Sequence, residues 1–137
     1  MKREYPLFTL YCERNVTSAQ MVQKHLKAPL FHERSGKPRA QGFQISLSDC
    51  RGITFLAVLK GEGSIGVDAE DPARQPPAPL KDIFAWTDLE AFCKALGRGV
   101  STKDVKHTAP ANIVLREVIE GLAVSVCVMS CAAEQMK

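Results

Sequence analysis

The chain contains two pairs of short, β-prone segments, and a glycine turn separates the two members of each pair. These pairs limit what the chain can fold into. Residues 43–48 alternate apolar and polar side chains, and residues 53–59 follow as an apolar, β-branched run. Residues 112–119 and 122–129 repeat this arrangement around a Glu-Gly pair. Runs of this kind on either side of a tight turn are typical of antiparallel hairpins. We therefore expect two hairpins, one in each half of the chain.

The first half also predicts a strand, a helix and a second, acidic strand. Residues 7–12 are apolar enough for a strand, and residues 17–26 place apolar side chains at helical spacing behind Thr17. Residues 65–70 follow a glycine-rich turn and read as a short strand that ends in acidic residues. Hairpins and helices in this order predict an α+β domain.

A second helix is expected after a proline-rich connection at residues 71–85. The apolar residues on one face of this helix are Leu89, Phe92, Cys93 and Leu96. Thr87 and Glu90 match a capping box at its start, and Gly97 provides its stop. The pattern therefore predicts a helix capped by Thr87.

Composition bounds the size and the class of the protein. The 137 residues are 45% hydrophobic and 24% charged, which suits one compact unit or two small fused lobes. The net charge of +3 is too small to indicate a nucleic-acid partner, but residues 33–39 form a basic loop suited to an anionic ligand. The sequence has no apolar run of membrane or signal-peptide type, and its five cysteines are scattered. We therefore expect a cytoplasmic protein with no membrane partner and reduced thiols.

Three carboxylates are the candidate metal ligands. Asp68 and Glu70 lie two apart on a strand, so their side chains project from one face, and the helix adds Glu90. Carboxylates packed together raise one another's pKa, which favours a shared hard cation. The alternative is that all three are solvated surface acids, with Glu90 only capping the helix.

Three further residues each have two interpretations. Lys94 follows Glu90 by four residues, a spacing that favours an exposed helix ion pair over a phosphate ligand. Lys37 lies in the basic loop and is either a phosphate ligand or ordinary surface. Ser46 is either a ligand contact or the polar side of its strand.

Three blocks, in the same order, resemble the surfactin-type 4'-phosphopantetheinyl transferases. The blocks are GKP at 36–38 followed by FQISLS at 43–48, then IGVDAE at 65–70, then WTDLEAFCKALGRG at 86–99. The last strand, predicted over residues 122–132, also resembles the end of that family's second lobe. The resemblance covers most of the chain from about residue 17 onward. It implies a compressed two-lobe pseudo-dimer, with lobes at residues 1–60 and 61–137 and coenzyme A in the cleft between them.

The resemblance also implies a metal and a reaction. It matches Asp68, Glu70 and Glu90 to the family's Mg²⁺ carboxylates, and Glu70, Glu90 and Lys94 are the expected catalytic residues. The implied reaction transfers the phosphopantetheine arm of coenzyme A to a serine of an acyl or peptidyl carrier protein. The expected oligomeric state is a monomer or a weak homodimer.

Lys37, Lys94 and Ser46 are the coenzyme A ligands that the resemblance implies. Two positions depart from the family, since Leu47 replaces a phosphate-binding histidine and Leu89 replaces a lysine. The family's longer helical segment, which carries carrier-protein contacts and a proposed general base, is replaced by the short proline-rich connection. The alternative functions are therefore a catalytically impaired coenzyme A or carrier-protein binding module, or an interaction protein.

Overall fold

The computed structural model describes residues 1–130, which form nine strands and three helices. In chain order these are β1 (Lys2–Glu4), β2 (Phe8–Arg14), α1 (Ser18–Leu26), β3 (Phe31–His32), β4 (Pro38–Arg39), β5 (Ile45–Cys50), β6 (Ile53–Leu59), β7 (Ser64–Glu70), α2 (Ile83–Ala95), α3 (Thr102–His107), β8 (Ile113–Ile119) and β9 (Leu122–Met129). The expected α+β class is confirmed. No helix within residues 1–130 is long and apolar enough to cross a membrane. Cys131 and the end of the strand predicted over residues 122–132 lie outside the described residues.

Antiparallel pairing builds two main sheets. The first has the order β1-β2-β6-β5 and the second has the order β7-β9-β8, while β3 and β4 form a small separate hairpin. Both predicted hairpins are confirmed, as β5–β6 and β8–β9. The first closes on Arg51 at φ 53° and Gly52 at φ 76°. The second closes on Glu120 at φ 53° and Gly121 at φ 77°. Positive φ at both turn positions matches the right-handed twist of paired strands.

The two main sheets pack face to face, and one helix covers the outer face of each. Phe55 of β6 belongs to the core that both sheets share. Its neighbour Leu56 points to the opposite face and packs with Met21 of α1. On the second sheet, Ala91 of α2 packs with Cys127 of β9. Because strand residues alternate between faces, the layer order is α1, first sheet, second sheet, α2.

Helix α2 begins earlier than the sequence pattern predicts. Its N-cap is Asp82, whose carboxylate accepts the backbone N–H of Phe84 at 2.8 Å. The predicted Thr87 cap is therefore wrong, and so is the capping role of Glu90, because both residues lie inside the helix. Thr87 is fully buried against the second sheet. All prolines of the preceding connection lie before residue 82, so they do not prevent the helix from beginning at this earlier position.

Capping boxes fix the starts of the other two helices. Thr17 caps α1 as predicted, with its hydroxyl accepting the Gln20 N–H at 3.1 Å. Helix α3 was not predicted. Ser101 and Asp104 form its capping box, in which the Ser101 hydroxyl accepts the Asp104 N–H at 3.2 Å.

Side chains join the two main sheets where their edge strands β5 and β7 meet. The Ser46 hydroxyl accepts the Val67 N–H at 3.0 Å, and the Ser48 hydroxyl accepts the Ala69 N–H at 3.0 Å. These bonds satisfy the free edge of β7 without merging it into the first sheet. The two sheets are therefore joined at this seam by serine hydroxyl groups, without backbone pairing between β5 and β7.

Candidate functional site

A cleft of about 520 Å³ opens at the seam between β5 and β7. Helix α2 and residues 35–38 and 97–99 complete its wall. Its volume lies within the usual range of small-molecule sites. The cleft is lined by every site residue that the sequence singled out, namely Lys37, Ser46, Asp68, Glu70, Glu90 and Lys94.

Asp68 is a buried acid in the wall of this cleft, with only 5% of its surface exposed. Its Oδ1 lies 3.4 Å from the Lys94 ammonium, while no hydrogen-bond donor in residues 1–130 reaches its Oδ2. Burial raises the pKa of the Asp68 carboxyl to about 7, with Lys94 opposing the rise and Glu90 adding to it. The surface-acid interpretation therefore does not hold for Asp68.

Glu70 faces the same cleft, but both of its oxygens are engaged. Oε1 accepts the indole N–H of Trp86 at 3.2 Å, and Oε2 lies 2.8 Å from Nη1 of Arg74. The Arg74 guanidinium also lies 5.7 Å from the centre of the Trp86 ring. Glu70 is thus held by a hydrogen bond from α2 and by an ion pair with the 71–85 connection.

Glu90 is the third acid, and it enters the cleft from α2. Burial raises the pKa of its carboxyl, Lys94 opposes the rise, and Glu70 adds to it. Within residues 1–130, no three His, Cys, Asp or Glu side chains are arranged to hold a metal ion. The donor set still suits Mg²⁺ chemically, since carboxylate oxygens are its preferred protein ligands and Asp68 Oδ2 lacks a partner.

Lys94 reaches from α2 into the seam between the sheets. Its ammonium donates to the carbonyl oxygens of Leu47 and Val67, at 3.1 and 2.9 Å, and to Asp68. The predicted ion pair with Glu90 is replaced by this arrangement. All three ammonium protons have protein acceptors, so Lys94 holds the cleft wall together.

Ser46, like Lys94, holds the two strands of the cleft wall together. It is 3% exposed, and its hydroxyl oxygen accepts the Val67 N–H. Its hydroxyl proton is the part available to a ligand in the cleft.

The opposite end of the cleft is basic. The Lys37 side chain lies across Gly97, where a Cβ would be 3.6 Å from Lys37 Cδ. Burial, followed by the nearby Arg39, lowers the pKa of Lys37. Arg98 lines the cleft beside them, and Asp104 fixes its guanidinium through contacts of 2.6 and 2.9 Å. Arg98 keeps the pKa of the Asp104 carboxyl well below its usual range, so the pair stays ionised.

Sequence reasoning missed Arg74 and Arg98 as site residues. The Ser101 to Asp104 capping-box spacing was available as a signal for the short helix that positions Arg98. The pairing of Arg74 with Glu70 was suggested only by their i, i+4 spacing. That spacing indicates a contact on a helix, but Glu70 is the last residue of strand β7.

Comparisons with known proteins give no match. No family model, no curated protein and no solved structure matches this chain. The resemblance to the phosphopantetheinyl transferases therefore rests on the three sequence blocks.

Proposed function

We propose that the cleft binds coenzyme A with a divalent cation and that the protein is a 4'-phosphopantetheinyl transferase acting on a carrier-protein serine. The observation that carries this proposal is the buried Asp68 oxygen that lacks a partner, at the acidic end of a cleft with a basic opposite end. A pyrophosphate ester with its bound cation matches such a polar pattern. The three sequence blocks supply residues of the same types in the family's order.

The acidic end is the proposed cation site. Asp68 and Glu70 would hold Mg²⁺ there, with Asp68 Oδ2 gaining the partner that it lacks, while Glu90 stays outside the ligand set. When bound, the ion would neutralise negative charge on the pyrophosphate during transfer.

The basic end is the proposed phosphate site. Lys37 and Arg98 would contact phosphate oxygens, and Asp104 keeps the Arg98 guanidinium in a fixed orientation. Lys94 is a positioning residue in this proposal, because its protons are bonded to the cleft wall and to Asp68.

Glu90 is the proposed proton acceptor. Its burial and raised pKa make it a stronger base than an ordinary surface glutamate. As the serine oxygen bonds to the β-phosphorus, the bond from that phosphorus to the leaving 3',5'-ADP oxygen breaks, and Glu90 takes the serine proton. Its neighbour Glu70 is less suited to this step, because both of its oxygens already accept contacts.

Intact-mass spectrometry tests this proposal. The full chain is incubated with coenzyme A, MgCl₂ and a panel of apo carrier proteins, and a carrier that gains one phosphopantetheine group supports it. The gain should disappear in excess chelator and in the Asp68→Ala variant. Spontaneous labelling of the carriers is measured without the enzyme.

A second candidate, from the alternative of a coenzyme A or carrier-protein binding module, is a module that binds coenzyme A without transferase activity. The 71–85 connection favours it, because this segment contains a tight turn at Asp71 to Arg74 where the family has carrier-protein contacts. Calorimetry separates the two candidates. Mg²⁺-dependent binding of coenzyme A without any gain in carrier mass would select the binding module, and absence of coenzyme A binding would contradict both.

A further inference from the structure

Arg74 belongs to the part of the chain that departs most from the family it resembles. The turn that carries it is tied down locally, since the Asp71 carboxylate accepts the Ala73 N–H at 2.9 Å and the Asp71 carbonyl accepts the Arg74 N–H at 3.0 Å. Asp71 also lies 3.5 Å from Arg51, in the turn of the first hairpin. From this turn, the Arg74 side chain pairs with Glu70, which lines the cleft.

The charges at this end are unequally compensated. Glu70 has a cationic partner in Arg74, at 2.8 Å, and a second partner in Trp86. Asp68, two residues earlier on the same strand face, has an oxygen that no donor in the described residues reaches. Arg74 therefore balances one carboxylate and leaves its neighbour short of a partner.

A divalent cation would compensate the acids better than Arg74 does. A single ion can take oxygen ligands from several carboxylates, whereas the guanidinium is engaged with Glu70. The Arg74 side chain is 48% exposed, so it can leave Glu70 for water at little cost. Glu70 would then be free to turn toward Asp68.

We propose that Arg74 is the resident counter-ion of Glu70 and that a divalent cation binds by displacing it. Arg74 thus acts as a positioning residue that sets the cation affinity of the cleft. This inference rests on the proposed cation site, and it adds a residue from outside the three family-like blocks.

Trp86 provides a direct readout, because it is the single tryptophan of the sequence and its indole N–H bonds to Glu70. Titration of the full, chelator-treated chain with MgCl₂ should change its fluorescence as Glu70 moves. Calorimetry on the same samples gives the affinity. The parent is compared with Arg74→Gln, with Arg74→Lys and with Arg51→Gln, which removes an equal charge from a residue that pairs with Asp71.

We expect Arg74→Gln to bind Mg²⁺ about two- to fivefold more tightly than the parent, the range set by the loss of one exposed ion pair. Arg74→Lys and Arg51→Gln should stay close to the parent. Two results would overturn the proposed displacement of Arg74 without contradicting the cation site. One is equal Mg²⁺ affinity in the parent and in Arg74→Gln, and the other is an equal gain in Mg²⁺ affinity in Arg51→Gln. If neither the parent nor any variant binds Mg²⁺, the proposed cation site itself is wrong. Thermal melts of each variant without Mg²⁺ establish that it is folded.

Discussion

Replacing Asp68 by asparagine tests whether the cleft carries an uncompensated buried charge. Asparagine has the same shape and keeps an oxygen that can accept from Lys94, but it cannot ionise. Lys94 also keeps its two carbonyl acceptors, at 2.9 and 3.1 Å, so the seam should persist in the variant. The substitution therefore removes the charge with little change in packing.

The size of the effect follows from the pKa of Asp68. Burial raises this pKa from 3.8 to about 7, so the folded state binds a proton that the unfolded state releases. Stability is thus highest below about pH 4 for this group and is lost as the pH rises through about 7. At about 1.4 kcal/mol per pKa unit, the full loss is about 4 kcal/mol, of which roughly 1.5 kcal/mol is already lost by pH 5. We expect Asp68→Asn to be more stable than the parent at pH 8, with an advantage about 1 to 3 kcal/mol larger there than at pH 5.

Urea unfolding of both proteins at pH 5, 6, 7 and 8, in the presence of chelator, measures this difference. Other titrating groups are common to both chains, so the difference between the two stability curves isolates Asp68. The reasoning fails if the variant is the less stable protein at pH 8, or if the difference does not change between pH 5 and pH 8. Adding Mg²⁺ at about 100 times its Kd should stabilise the parent by about 2.7 kcal/mol and the variant much less.

Three further substitutions probe the rest of the cleft. Glu90→Gln should lower transfer at least tenfold without lowering the melting temperature, because Asp82 caps the helix; an unchanged transfer rate would remove Glu90 from the mechanism. Arg98→Gln should weaken coenzyme A binding about tenfold in calorimetry, through a lost charge-assisted phosphate contact. Equal binding by parent and variant would place that contact elsewhere. Ser46→Ala should cost about 1 to 3 kcal/mol in urea unfolding, because the buried Val67 N–H loses its acceptor; a cost near zero would show that the seam does not depend on this bond.

The parts of the fold that the sequence predicted correctly are those set by neighbouring residues. The hairpin turn at Arg51 and Gly52 needs only two positions with positive φ, and both lie in the turn itself. The Thr17 cap needs one hydroxyl and one backbone N–H three residues later. The apolar, β-branched run of β6 predicts a strand wherever that strand packs.

The errors arose where a local pattern competes with tertiary contacts. Thr87 and Glu90 have the spacing of a capping box, but Asp82 offers an equivalent cap earlier and the second sheet buries Thr87. The sequence also placed Lys94 opposite Glu90, since an i, i+4 pair is the nearest partner on an isolated helix. In the fold, the carbonyl groups of two edge strands and Asp68 take the Lys94 ammonium instead, and no local spacing encodes that choice.

The burial of Asp68 gives the strongest physical reason to regard the cleft as a ligand site. A proton can neutralise this carboxylate, but at neutral pH the pKa of about 7 leaves it ionised in a large fraction of molecules. Lys94 compensates that charge only in part, because its contact with Asp68 is 3.4 Å and its shorter bonds go to backbone oxygens. A cation in the cleft would satisfy the oxygen that the protein leaves without a donor, and Glu70 lies in the same wall to share the ion. If Asp68 had no ligand to bind, a neutral side chain at this position would give a more stable protein. Asp68 therefore lowers the stability of the cation-free protein at the position where the proposed function needs a charge.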